Sequence, residues 1–140
     1  MNAREYLERP GKLKQEILAD QDNIAAMRSV VEQCTTHLSF TAGCNPSKNK
    51  DSFENVMLDI TKAEADLETK IMRYEELCLE TIKQIGSLHD SAQRQLLRLR
   101  YLDYQEWENI AKAVGVSEGH IYVLHRKALK NLEKLLVKVS

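Results

Sequence analysis

A chain of 140 residues with 43% apolar and 29% charged side chains suits one domain, or a small domain plus an extended element. It is too apolar for a disordered tail, and its two Pro and five Gly point to an all-α protein. The net charge of −1 conceals an asymmetry: residues 1–90 carry 11 Lys/Arg against 16 Asp/Glu, and residues 91–140 carry 9 against 5, which suits a polyanionic partner for the C-terminal part alone unless the segregation is chance.

After a short polar start containing Pro10 and Gly11, a helix is expected from about Lys12. Ile17, Ile24, Val31 and Leu38 take heptad position a, and Leu13, Asp20, Met27 and Cys34 take d, the pattern of a coiled-coil seam. Asp20 is its flaw, because a carboxylate in an apolar layer destabilises unless it is paired or reaches water. Gly43 to Asp51 reads as a loop, and Asp51 or Ser52 can cap the next helix, with Glu54 in capping-box position. A second heptad run places Met57, Ile71, Cys78 and Ile85 at a and Ile60, Leu67, Tyr74 and Leu88 at d, broken by Glu64 and Thr81. Residues 12–89 are therefore expected to form a long antiparallel helical hairpin, coiled-coil-like, with its loop near 43–52. A two-helix hairpin buries little area alone, which points to oligomerisation or partner docking.

Gly86 and His89-Asp90-Ser91 mark a boundary. Asp90 or Ser91 caps a helix from Ala92 to about Leu102, with Ala92, Leu96, Leu97, Leu99 and Tyr101 on a wide apolar face. After a turn at Asp103-Tyr104-Gln105, Trp107, Ile110, Ala111 and Val114 recur at 3,4 spacing on a short helix. Gly115 supplies the positive φ that ends it, and Ser117 is the N-cap of a last helix that carries Ile121, Leu124, Ala128, Leu132 and Leu135 on one face. Two helices joined by a three-residue, Gly-containing turn form a helix-turn-helix pattern, so residues 90–140 are expected to be a three-helix DNA-binding unit.

Opposite the apolar row of the last helix lie Gly119, Tyr122, Val123, Arg126, Lys127 and Lys130, with Glu118 and His120 at the leading end. A recognition helix over 118–132 would read base edges in the major groove of double-stranded DNA with its N-terminal side chains. Arg126, Lys127 and Lys130, joined by Lys112 of the preceding helix, would neutralise phosphates, and the amides from Ser117 to Gly119 could hold a phosphate oxygen. The plainer alternative is the solvated face of a helical bundle. His125 lies toward the apolar side and reads as a packed, hydrogen-bonded residue, and Trp107 reads as core. Arg94 and Arg98, at i and i+4, are expected to stay exposed, for phosphate contact or for solvent alike.

Other chemistries find little support. Cys34 and His37 sit at i, i+3, but no second pair completes a metal site, and neither a Gly-rich phosphate loop nor HExxH nor GxSxG occurs. No enzyme activity, cofactor or metal is expected. Cys34, Cys44 and Cys78 form no CxxC pair and are odd in number, which fits a reducing cytoplasm. The start Met1-Asn2-Ala3-Arg4-Glu5 lacks the apolar stretch of a signal peptide, and no run approaches a membrane span.

The run from Gln93 to Tyr101, Ile110-Ala111, Gly115-Val116-Ser117 and the run from Lys127 to Leu132 together resemble region 4 of primary-type sigma factors over about 45 residues. That resemblance implies promoter-element binding and contact with RNA polymerase. A longer one takes in Arg4-Glu5-Tyr6-Leu7, the paired helices, Arg100-Tyr101, Trp107 to Ala111, Leu124-His125 and Ala128-Leu129. It is similar to small phage and prophage proteins with a region-4-like helix-turn-helix, akin to RinA/ArpU-type late-gene regulators, and implies a transcriptional regulator of phage genes. The chain departs from sigma region 4 where Glu118, Gly119, His120, Tyr122 and Val123 replace basic and polar reading residues, so the same promoter element would not be read by the same contacts. Glu106 is a poorer cap than the Ser usual in the look-alikes, and no promoter-melting region is present, so a complete sigma factor is not expected.

The expectation is thus a sequence-specific DNA-binding transcriptional regulator, whose partners besides DNA would be a second copy through the hairpin and RNA polymerase. Two alternatives stay open. A small-terminase-like DNA-packaging component predicts a ring of many copies. A protein-protein adaptor on RNA polymerase predicts no salt-dependent DNA affinity.

Overall fold

A computed structural model describes the backbone of residues 1–40 and 46–139 and the side chains of residues 1–34 and 52–138. Five helices follow one another: α1 (Ala3–Phe40), α2 (Pro46–Gly86), α3 (Ser91–Tyr101), α4 (Trp107–Val114) and α5 (Glu118–Val139). Among the described residues there is no strand. The fold is all-α, a long helix pair followed by a C-terminal helical unit, as the heptad and 3,4 spacings predict. No described helix is long and apolar enough to cross a membrane.

α1 starts nine residues before the expected Lys12 and runs through Pro10-Gly11. Two local devices explain this. Asn2 Oδ1 accepts the Glu5 amide at 2.8 Å while the Asn2 amide donates to the Glu5 carboxylate at 3.4 Å, a reciprocal capping box. Pro10 has no N–H for the Tyr6 carbonyl four residues back, and Arg9 Nε donates to that oxygen instead, at 3.1 Å. The helix is thus held past its proline by a side-chain donor.

α2 likewise starts at Pro46, so Asp51 and Ser52 lie inside the helix and do not cap it. Proline is well placed in a first helical turn, where a missing N–H leaves no carbonyl unpaired. The remainder of the expected loop, residues 43–45 with Cys44, lies outside the described residues, as do the side chains of His37 and Leu38.

The chain divides into two compact units: Lys14–Arg73, and Met1–Leu13 together with Tyr74–Ser140. Within Lys14–Arg73, Lys70 Nζ reaches Asp20 at 2.7 Å and Glu16 at 3.7 Å, and Arg28 pairs with Glu64. Partners on α2 fall in number as those on α1 rise, so the two stretches run antiparallel. Ile17, Ile24 and Ile60 are buried between them. Asp20, the polar residue in the seam, is both ion-paired and in reach of water, which removes most of the penalty for placing it there.

In the other unit, Ala3 and Leu7 of α1 and Leu77, Thr81 and Ile85 of α2 are buried. Thr81 tolerates full burial because its Oγ1 donates to the Leu77 carbonyl at 2.7 Å, one turn back. Helices α3, α4 and α5 pack pairwise on one another, and Leu96, Leu97, Ile110, Ala111, Ile121, Ala128 and Leu132 join Ala3, Leu7, Ile85 and Leu88 in one apolar cluster.

Candidate nucleic-acid interface

Each helix of the three-helix packing begins and ends on an identifiable backbone device. Asp90 is the N-cap of α3, its carboxylate accepting the Ala92 amide at 2.9 Å. Glu106 precedes α4 without any side-chain cap bond, the weaker cap its sequence suggested. Gly115 closes α4 in the left-handed region, φ 84° and ψ 33°, and the amides of Gly115 and Val116 both donate to the Ala111 carbonyl. Ser117 then starts α5: its Oγ accepts the His120 amide at 3.1 Å and its carbonyl accepts the Ile121 amide at 3.0 Å. The turn of a helix-turn-helix is therefore built as its three residues dictate.

With that turn fixed, the rotation of α5 follows from its apolar row. Ile121, Ala128 and Leu132 are fully buried, Leu124 is half-buried, and His125 is buried beside them. The opposite strip, Glu118, Gly119, His120, Tyr122, Arg126, Lys127 and Lys130, is exposed, and Val123 is half-buried at its edge. Ser117 and Lys112 are exposed too. The Ser117 hydroxyl is already engaged as the cap, which leaves it less free for an outside partner. Lys112 Nζ lies 3.6 Å from Glu108 one turn earlier, an exposed pair worth little energetically. Arg126, Lys127 and Lys130 place three cations along one exposed side of α5.

Beneath the strip lie polar contacts that heptad and wheel arguments do not reveal. Tyr101 OH and His125 Nε2 share a buried hydrogen bond of 2.8 Å, which fits His125 as a packed, bonded residue. Burial first, then the cations of Arg4 and Arg100, pushes the His125 imidazole down to about 4. Burial also raises the Tyr101 phenol. Asn131 Nδ2 donates to Gln93 Oε1 at 2.9 Å, tying α5 to α3 through a buried glutamine. Nothing in the spacing of apolar residues signals that pair, since both sit among them as ordinary polar interruptions.

One expectation needs adjustment. Arg94 is half-buried, not exposed, with Nη1 on the carbonyls of Leu88 at 2.5 Å and His89 at 3.1 Å; it ties α3 to the chain leaving α2, and its guanidinium answers carbonyls that have no helical donor. Trp107 packs against the apolar cluster as expected, half-buried at its edge, and its ring meets His125 at 4.6 Å and Tyr122 at 5.3 Å between centroids. The turn at Tyr104 takes φ 54°, rare for a bulky residue, with the Tyr104 ring 3.4 Å from where a Cβ on Gly11 would stand and its hydroxyl 3.4 Å from that of Tyr74.

Residues 90–134 match the family model for sigma-70, region 4, over about a third of the chain. The matched span begins at the α3 cap and takes in α3, α4 and most of α5. Its helix-turn-helix is therefore region-4-like. No curated protein and no solved structure matches the chain.

Proposed function

We propose that this chain is a sequence-specific DNA-binding transcriptional regulator, of phage or prophage type, which places α5 in the major groove of double-stranded DNA. The single observation that carries it is the sidedness of α5 behind a capped helix-turn-helix: one row is buried, and the strip from Glu118 to Lys130 is open. The region-4 match over the same helices supports it. Glu118, His120, Tyr122 and Val123 lie toward the N-terminal end, where base edges are met, with Ser117 at the cap. Arg126, Lys127, Lys130 and Lys112 take phosphates. RNA polymerase is a further partner in this proposal.

In the same proposal residues 90–140 form the DNA-binding domain, and residues 12–89 serve self-association or partner docking. Leu18, Val30, Leu58 and Met72, all exposed, supply apolar surface for that contact. A homodimer would set two α5 helices on half-sites about 34 Å apart, or a multiple of that.

Selection of bound sequences from random duplex DNA with the full chain tests the proposal; it should enrich one motif. Arg126→Ala with Lys130→Ala should then weaken binding to every sequence and reduce the slope of log affinity on log salt by about 2. Unchanged affinity of the double variant at low salt, by fluorescence anisotropy, removes the phosphate assignment, and a pool that stays random removes sequence-specific reading.

A further inference from the structure

On the exposed strip of α5, Tyr122 is the one phenol, and it keeps 48% of its surface open. A tyrosine so placed on a bare helix would sample several rotamers, and ordering it on binding would weaken the contact it makes. Tyr122 is not on a bare surface. The Trp107 ring, at the N-terminus of α4, lies against it with centroids 5.3 Å apart and planes at 51°, well inside the range of a favourable aromatic pair.

The indole is held in its turn. The His125 ring meets it edge-on at 4.6 Å and 64°, and the Arg100 guanidinium sits over it at 4.6 Å from the centroid. Neither neighbour is loose. His125 is fixed by its 2.8 Å bond to Tyr101 OH, and Arg100 Nη1 donates to the Gln105 carbonyl at 3.1 Å. A sequence of anchored contacts therefore leads from buried Tyr101 through His125 and Trp107 to the open phenol. A tryptophan whose only task was to fill the interior would have no need to reach the exposed strip.

We propose that Trp107 is a positioning residue for Tyr122: it fixes the phenol in the orientation that meets a base edge, without itself touching DNA. This rests on the assignment of α5 as the helix that enters the groove. Discrimination at the base pair under Tyr122 then depends on Trp107, whereas phosphate binding through Arg126, Lys127 and Lys130 does not.

The test uses the full chain and the duplex selected from a random pool. The base pair read by Tyr122 is the one whose replacement weakens the wild type but no longer weakens Tyr122→Ala, by roughly tenfold. Trp107→Leu should lose that same factor at that base pair, keep discrimination elsewhere, and leave the salt slope unchanged. Trp107→Phe should restore most of it, and Trp107→Leu with Tyr122→Ala should do no worse than either alone. Should Trp107→Leu fail to fold, Arg100→Met, which removes the cation over the indole, is expected to lower discrimination at the same base pair. Trp107 is the sole tryptophan, so Tyr122→Ala should also shift its emission before any DNA is added. Full discrimination by Trp107→Leu, or a loss spread evenly over all base pairs, overturns the positioning role. A wild type that enriches no sequence overturns the groove assignment beneath it instead.

Discussion

In the three-helix packing Leu96, Leu97, Ile110, Ile121, Ala128 and Leu132 have lost all contact with solvent. Among the described residues of 14–73, by contrast, only Ile17, Ile24 and Ile60 are buried, and Met27, Val31, Leu67 and Ile71 stay half-open. A third helix makes the difference: it covers the flank that a pair must leave to water. The polar residues follow suit. Asp20 is tolerated in the helix pair as an ion, paired with Lys70 at the water's edge, and its hydrogen bond raises the Lys70 pKa. His125 and Gln93 are tolerated in the three-helix packing as neutral groups, each with one internal hydrogen bond. Charge survives where solvent is near, and neutral pairs survive where it is not.

The largest effect that could break this contrast is a cavity. Leu132→Ala should cost about 3 kcal/mol, against about 1 kcal/mol for Leu67→Ala, whose surroundings already admit water. Urea unfolding followed by circular dichroism and by Trp107 emission measures both, and equal losses would erase the contrast. Next comes pH. The unfolded chain protonates His125 near 6.5, the folded one only near 4, so between these values the unfolded state holds more protons. The contribution is full above pH 6.5 and is lost as pH falls toward 4, by about 3 kcal/mol at most. His125→Gln should flatten that part of the stability profile; an unchanged slope would mean that the imidazole is not held neutral. The smallest effect belongs to Asp20→Asn, which should lower the thermal midpoint less than Leu67→Ala and lose even that difference in concentrated salt.

Much of the arrangement is written locally. Gly115 followed two residues later by Ser117 defines the turn, because a left-handed φ and a hydroxyl cap are properties of those residues alone. The row Ile121, Ala128 and Leu132 then sets which side of α5 faces out. The Asn2–Glu5 capping box is also local, but Pro10 and Gly11 argue against a helix there, and only the Arg9 bond to the Tyr6 carbonyl shows how α1 passes them.

The existence of the helices, the three-residue turn and the open strip of α5 are legible along the chain, because capping, φ preference and apolar period act over a few residues; the starts of α1 and α2 are not. Packing alone brings Tyr101 to His125, Gln93 to Asn131, Arg94 to the carbonyls of Leu88 and His89 beyond α2, and Trp107 to Tyr122. Most of those partners lie on different helices, up to 38 residues apart. Their meeting depends on how the helices rotate and cross once the shared apolar cluster is closed, and no spacing along one helix encodes it.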